Sequence, residues 1–91
     1  MLRVFEWDDV KAASNLAKHG VPFDYSTQVF LDEAVVDFDA SRETDGEARR
    51  KAIGLIEGRV FTVVYVQREE AIRIISARRA NATERKAYGQ I

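Results

Sequence analysis

Ninety-one residues leave room for one hydrophobic core, and a chain of this size buries only about 60% or slightly more of the surface it exposes when unfolded, which favours a stabilising partner. The absence of cysteine excludes disulfides and thiolate-ligated zinc, and a single histidine, His19, excludes a histidine-rich metal centre. The net charge of −1 conceals an asymmetry: residues 1–46 carry four Lys/Arg against ten Asp/Glu, a balance of −6, and residues 47–91 carry ten against five, a balance of +5.

The opening Met1-Leu2-Arg3-Val4-Phe5-Glu6-Trp7-Asp8-Asp9 contains no long apolar run. That pattern predicts a cytoplasmic chain with neither signal peptide nor membrane anchor. Arg3 to Glu6 reads as a short strand. Asp8 or Asp9 then caps a helix reaching His19, with Gly20 as its left-handed terminator. Within that helix Val10, Ala13 and Ala17 recur at helical spacing and suggest the buried face, while Lys11, Asn15 and Lys18 form a polar stripe opposite. A second helix is predicted over Pro22–Phe30, because proline suits a first turn and Phe23, Thr27 and Phe30 share a face.

Ala34 to Phe38 is rich in β-branched and aromatic residues and reads as a strand, followed by a polar loop over 39–46. Arg49–Ile56, Val60–Gln67 and Ala71–Ala77 are the next strands, turning at Gly58 and at Glu69-Glu70. Connections this short require antiparallel pairing. Asn81 with Glu84 forms a capping box for a last helix, from which Tyr88 and Ile91 pack back on the sheet. The expectation is one α+β domain over residues 1–91: an antiparallel meander packed by two N-terminal helices and a C-terminal helix, in the order β-α-α-β-β-β-β-α.

The candidate chemistry lies mostly in the basic half. Strict alternation along Ala71–Arg79 puts Arg73, Ile75, Ala77 and Arg79 on one side and Ile72, Ile74, Ser76 and Arg78 on the other. Arg78 and Arg79 therefore diverge unless the chain bends after Ser76. They are either ordinary surface arginines or, beside a capped helix start that itself favours phosphate, part of an anion site. Arg68 falls at the opposite end of its hairpin. Glu47, Arg49 and Arg50 open the preceding strand and are expected near the Arg78 end, where Glu47 is either a proton carrier or an exposed salt-bridge partner. His19 has the ordinary pKa suited to proton transfer near neutrality, and equally suits a helix C-terminal cap. Trp7, Tyr65 and Tyr88 are base-stacking platforms or core residues. Asp37, Asp39, Glu43 and Asp45 fit a solvated acidic run better than a magnesium site. No phosphate-binding glycine loop, nucleophile elbow or zinc motif is present.

Taken together, Phe5-Glu6-Trp7-Asp8, Lys11, Asn15, Lys18-His19-Gly20-Val21 with Phe23, Glu47-x-Arg49, Gly54, Val64-Tyr65 with Arg68, Arg73 through Ala80, and Glu84-Arg85 with Tyr88 resemble the BrnT family. Asn81 departs from the threonine more usual there, though both residues cap helices. The resemblance implies a RelE-like fold and a cytoplasmic endoribonuclease that needs no metal or other cofactor and inhibits translation. It also implies a cognate antitoxin, bound as a hetero-oligomer, through which alone the complex meets DNA. Lys11, His19, Glu47, Arg49, Arg68, Arg78 and Arg79 carry over by motif, and Lys18, Arg50 and Tyr65 join Lys11 as candidate RNA contacts. A different class stays open: a non-catalytic module whose basic half docks an acidic partner or nucleic acid.

Overall fold

The computed structural model describes residues 3–89. Its elements run β1 (Val4–Glu6), α1 (Asp9–His19), α2 (Phe23–Ser26), a 3-10 turn (Thr27–Leu31), β2 (Val36–Asp39), a second 3-10 turn (Glu43–Asp45), β3 (Arg50–Ile56), β4 (Arg59–Arg68), β5 (Ala71–Arg79) and α3 (Ala82–Tyr88). The fold is α+β in the expected order. β2 to β5 form the antiparallel meander, and β1 adds a short parallel strand beside β5, giving the sheet order β1-β5-β4-β3-β2. No helix among the described residues is long and apolar enough to cross a membrane.

Helix ends follow local chemistry. Asp8 accepts the Lys11 N–H at 3.0 Å, and Gly20 closes α1 at φ +72°. Asn81 and Glu84 form the expected capping box. Tyr88 packs on the sheet as predicted, while Ile91 lies outside the described residues. The predicted Pro22–Phe30 helix is instead one α-turn followed by the 3-10 turn. Ser26 and Thr27 hydroxyls donate to the Phe23 and Asp24 carbonyls at 2.7 Å each, drawing the backbone from α toward tighter geometry. That turn lies directly on β3 at Gly54, where a Cβ would come within 2.9 Å of the Val29 carbonyl oxygen. Val29 is consequently fully buried.

α1 is rotated from its expected orientation. Val10 is 77% exposed, Leu16 47%, and Ala13 and Ala17 also face solvent, whereas the buried residue is Asn15. The cause is the edge of β5. β1 covers that edge only from Ala71 to Arg73, leaving the peptide groups of Ala77 without a strand partner. Asn15 supplies one: its Nδ2 donates to Ala77 O at 2.8 Å, its Oδ1 accepts from Ala77 N at 3.1 Å, and Nδ2 also donates to Val21 O at 3.1 Å. A buried amide bonded in this way outweighs the modest gain from turning alanines inward.

The alternation along β5 is also interrupted. Val64 pairs with Ser76 but Tyr65 pairs with Ile74, so Ile75 is an extra residue that shifts the phase of the strand. Ile72, Ile74 and Ala77 thereby join one face, buried against Val21, Phe23 and Val29. Arg79 pairs with Phe61 and follows the Ala77 side, while Arg78 is left on the other face with Thr62. Arg78 and Arg79 therefore diverge, as alternation requires without a bend after Ser76; the irregularity in β5 is instead a bulge just before it.

On that second face α3 covers a smaller cluster of Ile53, Val60 and Ala80. Its anchor is Glu84, only 3% exposed. Arg78 donates to both of its oxygens at 2.7 and 2.8 Å, Thr62 Oγ1 and the Asn81 N–H each donate at 3.0 Å, and Lys51 Nζ lies at 3.2 Å. Burial opposes ionisation, but the bonds from Arg78, Asn81 and Thr62 outweigh it and hold the pKa at about 2 against an ordinary 4.5.

Two outcomes follow from these anchors. Asn15→Ala removes the partner of three backbone groups, the Ala77 N–H and the Ala77 and Val21 carbonyls, and should lower unfolding stability by on the order of 3 kcal/mol in urea titration, with Asn15→Asp at least as severe because a carboxylate cannot donate. A folded pKa depressed in this way contributes stability above pH 4.5 that is lost as pH falls through about 2. The thermal midpoint should therefore drop across that window, by on the order of 3 kcal/mol in stability, and a Glu84→Gln variant, less stable at neutral pH, should lack this component.

Candidate active site

The closing end of β5, the opening end of β4 and the C-terminus of α1 meet around a cavity of about 380 Å³. Val21, Pro22 and Phe61 supply its apolar lining, and His19, Tyr25, Arg59 and Arg79 its polar lining. Each polar group has a structural reason for being there. Arg59 and Phe61 alternate onto one face of β4, and Arg79 pairs with Phe61 across the ladder, so both arginines share the Phe61 face. His19 ends α1 immediately before Gly20, and Asn15 pins that turn to Ala77, two residues before Arg79. Tyr25 packs edge-on against Phe61, with centroids 5.7 Å apart at 79°. Its hydroxyl donates to Glu57 Oε1 at 2.6 Å, which with partial desolvation raises its pKa above the ordinary value.

His19 and Arg79 are the sequence-predicted residues brought together here. Arg78 is on the opposite face of the sheet, held by Glu84. Lys11 and Lys18 are exposed on α1. Glu47, Arg49 and Arg50 do not reach the Arg78 end, contrary to expectation. β3 and β5 both run antiparallel to β4 and so run in the same direction, which puts the start of β3 at the end of the sheet where β5 also starts. Arg50 pairs with Tyr65 and Arg78 with Thr62, a separation of roughly 10 Å along β4 and a further ~10 Å across it.

At that far end the charges are largely spent on one another. Arg68 pairs with Glu47 at 3.3 Å, and Arg50 with Asp37. Arg49 is tied through its backbone: its N–H donates to Ser41 Oγ at 2.9 Å and its carbonyl accepts the Ala40 N–H at 2.8 Å. Tyr65 is 6% exposed, donates to Asp37 and packs edge-on against Phe30, so it offers no ring face to a base. Burial and Asp37 push its hydroxyl pKa up to about 12. Trp7 packs on Phe23 and Tyr88 donates to Asp32, which commits both to the fold. A larger cavity of about 680 Å³ at this end is lined by Arg68 but also by Glu6, Glu69 and Glu70. Three carboxylates make it a poor seat for a polyanion.

Two lining residues of the 380 Å³ cavity, Tyr25 and Arg59, had no place in the sequence reading, and neither had Glu57, which lies outside that lining and accepts the Tyr25 hydroxyl. Counting back from the Glu69-Glu70 turn brings Arg59 and Phe61 to the level of the end of β5, but without the extra residue at Ile75 it pairs Phe61 with Arg78 and puts Arg59 on the wrong face. The resulting constellation has two guanidinium groups suited to holding a phosphate, a histidine able to carry a proton, and a phenol aligned on a carboxylate.

A family model described as ribonuclease toxin, BrnT, of type II toxin-antitoxin system matches residues 7–84. The matched span runs from just before α1 into the first turn of α3. It includes every lining residue of the smaller cavity, Asn15 with its Ala77 partner, and the Arg78–Glu84 clamp. No curated protein matches the chain. With 78 of its 91 residues inside that match, counted from 7 through 84, the chain belongs to the BrnT family, the ribonuclease toxins of type II toxin-antitoxin systems.

Proposed function

We propose that residues 1–91 act as one catalytic domain, a metal-independent endoribonuclease that binds RNA across the His19–Arg59–Arg79 cavity and inhibits translation by cutting it. The observation that carries this reading is the convergence of His19, Arg59 and Arg79 on one concave surface. Cleavage of RNA by its own 2′-hydroxyl requires a base for that hydroxyl, cations for charge accumulating on the phosphorane, and an acid for the leaving 5′-oxygen. Arg59 and Arg79 take the charge-stabilising role, and His19 donates the proton to the leaving group. Lys11 and Lys18 on α1 extend the cationic track along the RNA backbone. Arg78 contributes by fixing the end of β5 to α3, which holds Arg79 in place.

The family's system type supports a protein antitoxin as partner, and so does the apolar face of α1, where Val10 and Leu16 are left exposed. In this reading a cognate DNA-binding antitoxin covers that face and neutralises the toxin in the cytoplasm as a hetero-oligomer, and DNA is met only through it.

In a cleavage assay on purified RNA, the wild-type chain should remain active in EDTA. Arg79→Ala and Arg59→Ala should each lower the rate by on the order of 100- to 1000-fold while melting like the wild type. Intact RNA and harmless expression without the antitoxin would instead support a non-catalytic docking module. Val10→Glu, which places a charge on the exposed apolar face, should weaken antitoxin binding in a pull-down or calorimetric titration without slowing cleavage.

A further inference from the structure

Tyr25 stands in the wall of the cavity beside Arg59, Arg79 and His19, and both ends of its side chain are fixed. Its ring rests edge-on against Phe61, and its hydroxyl donates to Glu57 Oε1 at 2.6 Å, the short distance of a charge-assisted bond. A phenol held this way has its proton directed at a carboxylate. A phenol oxygen that donates one hydrogen bond keeps lone pairs able to accept another.

Glu57 lies at φ +50° and Gly58 at φ +83°, the tight hairpin pattern in which Asn, Asp or Gly normally takes the first position. A glutamate there is conformationally disfavoured. Its longer side chain is what spans from the β3–β4 turn to the Tyr25 hydroxyl, 32 positions earlier in the chain.

We propose that Tyr25 is the catalytic residue that activates the 2′-hydroxyl of RNA, with Glu57 as the positioning residue that receives the proton through it; this rests on the ribonuclease reading of the same cavity. The 2′-hydroxyl gives its proton to Tyr25 Oη as Tyr25 passes its own to the Glu57 carboxylate. The 2′-oxygen forms a bond to phosphorus and the bond from phosphorus to the 5′-oxygen breaks, that oxygen taking the proton of a His19 imidazolium. The products are a 2′,3′-cyclic phosphate and a 5′-hydroxyl. Glu57 ends protonated and His19 neutral, and proton exchange with water restores both. No electrons change hands and no co-reactant is needed.

The test is steady-state cleavage of an RNA oligonucleotide by the full chain. Tyr25→Phe keeps the ring against Phe61 and Glu57→Gln keeps the shape of the acceptor. Each should lower kcat by about 100-fold or more with KM changed by no more than about twofold. The double variant should be no slower than the slower single one, because both belong to one relay. An oligonucleotide with sulfur in place of the bridging 5′-oxygen has a leaving group that needs no acid. It should restore His19→Ala and leave Tyr25→Phe slow, which a merely structural role for Tyr25 would not produce. Tyr25→Phe cutting within about threefold of wild type, double-variant losses that multiply, or sulfur rescue of Tyr25→Phe would each overturn the relay. A wild-type chain that cuts no RNA removes the ribonuclease reading and the relay together. Wild-type cleavage lost in Arg79→Ala but kept in Tyr25→Phe removes the relay alone.

Discussion

The side-chain amide of Asn15 does the work of a missing piece of β-strand, and the arrangement of the cavity depends on it. β1 ends its pairing at Arg73, so the outer edge of β5 near Ala77 has nothing from the sheet to satisfy its peptide groups. Donating to one and accepting from the other, Asn15 closes that edge, and its second donor proton takes the Val21 carbonyl just past the end of α1. Three bonds from one residue therefore fix the helix terminus, the Gly20 turn and the β5 edge relative to each other. His19 and Arg79, 60 positions apart by their numbers, come to line one cavity because each lies a few residues from that knot.

What was legible in the sequence was chemistry that acts over a few residues. Asp8, Gly20, Asn81 and Glu84 set helix ends whatever surrounds them, and the capping box even has the reciprocal bonds that its spacing requires. Strand identity was legible for a similar reason, since β-branched runs between turn residues have few alternatives. The orientation of α1 was not. Val10, Ala13 and Ala17 form a regular apolar stripe, but alanines gain little from burial, and a buried amide with every bond made outweighs them. The phase of β5 was hidden by the extra residue at Ile75, which no side-chain pattern marks. The location of Glu47 and Arg49 was readable in principle. Two reversals of direction return a meander to its original heading, so its third strand starts at the same end of the sheet as its first.

Adjacent arginines with different fates show why a count of charges does not locate a site. Arg78 and Arg79 leave opposite faces of the sheet. Arg78 is drawn into a bidentate pair with buried Glu84, where its charge is spent holding α3. Much of the basic second half is similarly engaged: Arg50 with Asp37, Lys51 with Glu84, Arg68 with Glu47 and Arg73 with Glu6. Two of those acids, Glu6 and Asp37, come from the acidic first half, so folding cancels part of the asymmetry between the halves. Arg59 and Arg79 form no ion pair among the described residues. They are the cations positioned beside a histidine and an open cavity, and it is this residue of uncancelled charge, rather than the total, that suits a phosphate.

The burial of Asn15 has a cost on the other side of the same helix. An α-helix lying on a sheet can turn only one face inward, and once the amide face is committed to Ala77, Val10 and Leu16 must go outward. In a chain this small, with limited core to offset exposed apolar surface, such a face favours a bound partner. The antitoxin of the proposed assembly is such a partner, and it would lie along a helix whose last residue, His19, lines the cavity. One polar residue thus links two properties that have no necessary connection in the chemistry. It assembles the cationic cavity from distant segments, and by rotating α1 it leaves the toxin with a surface better covered than bare.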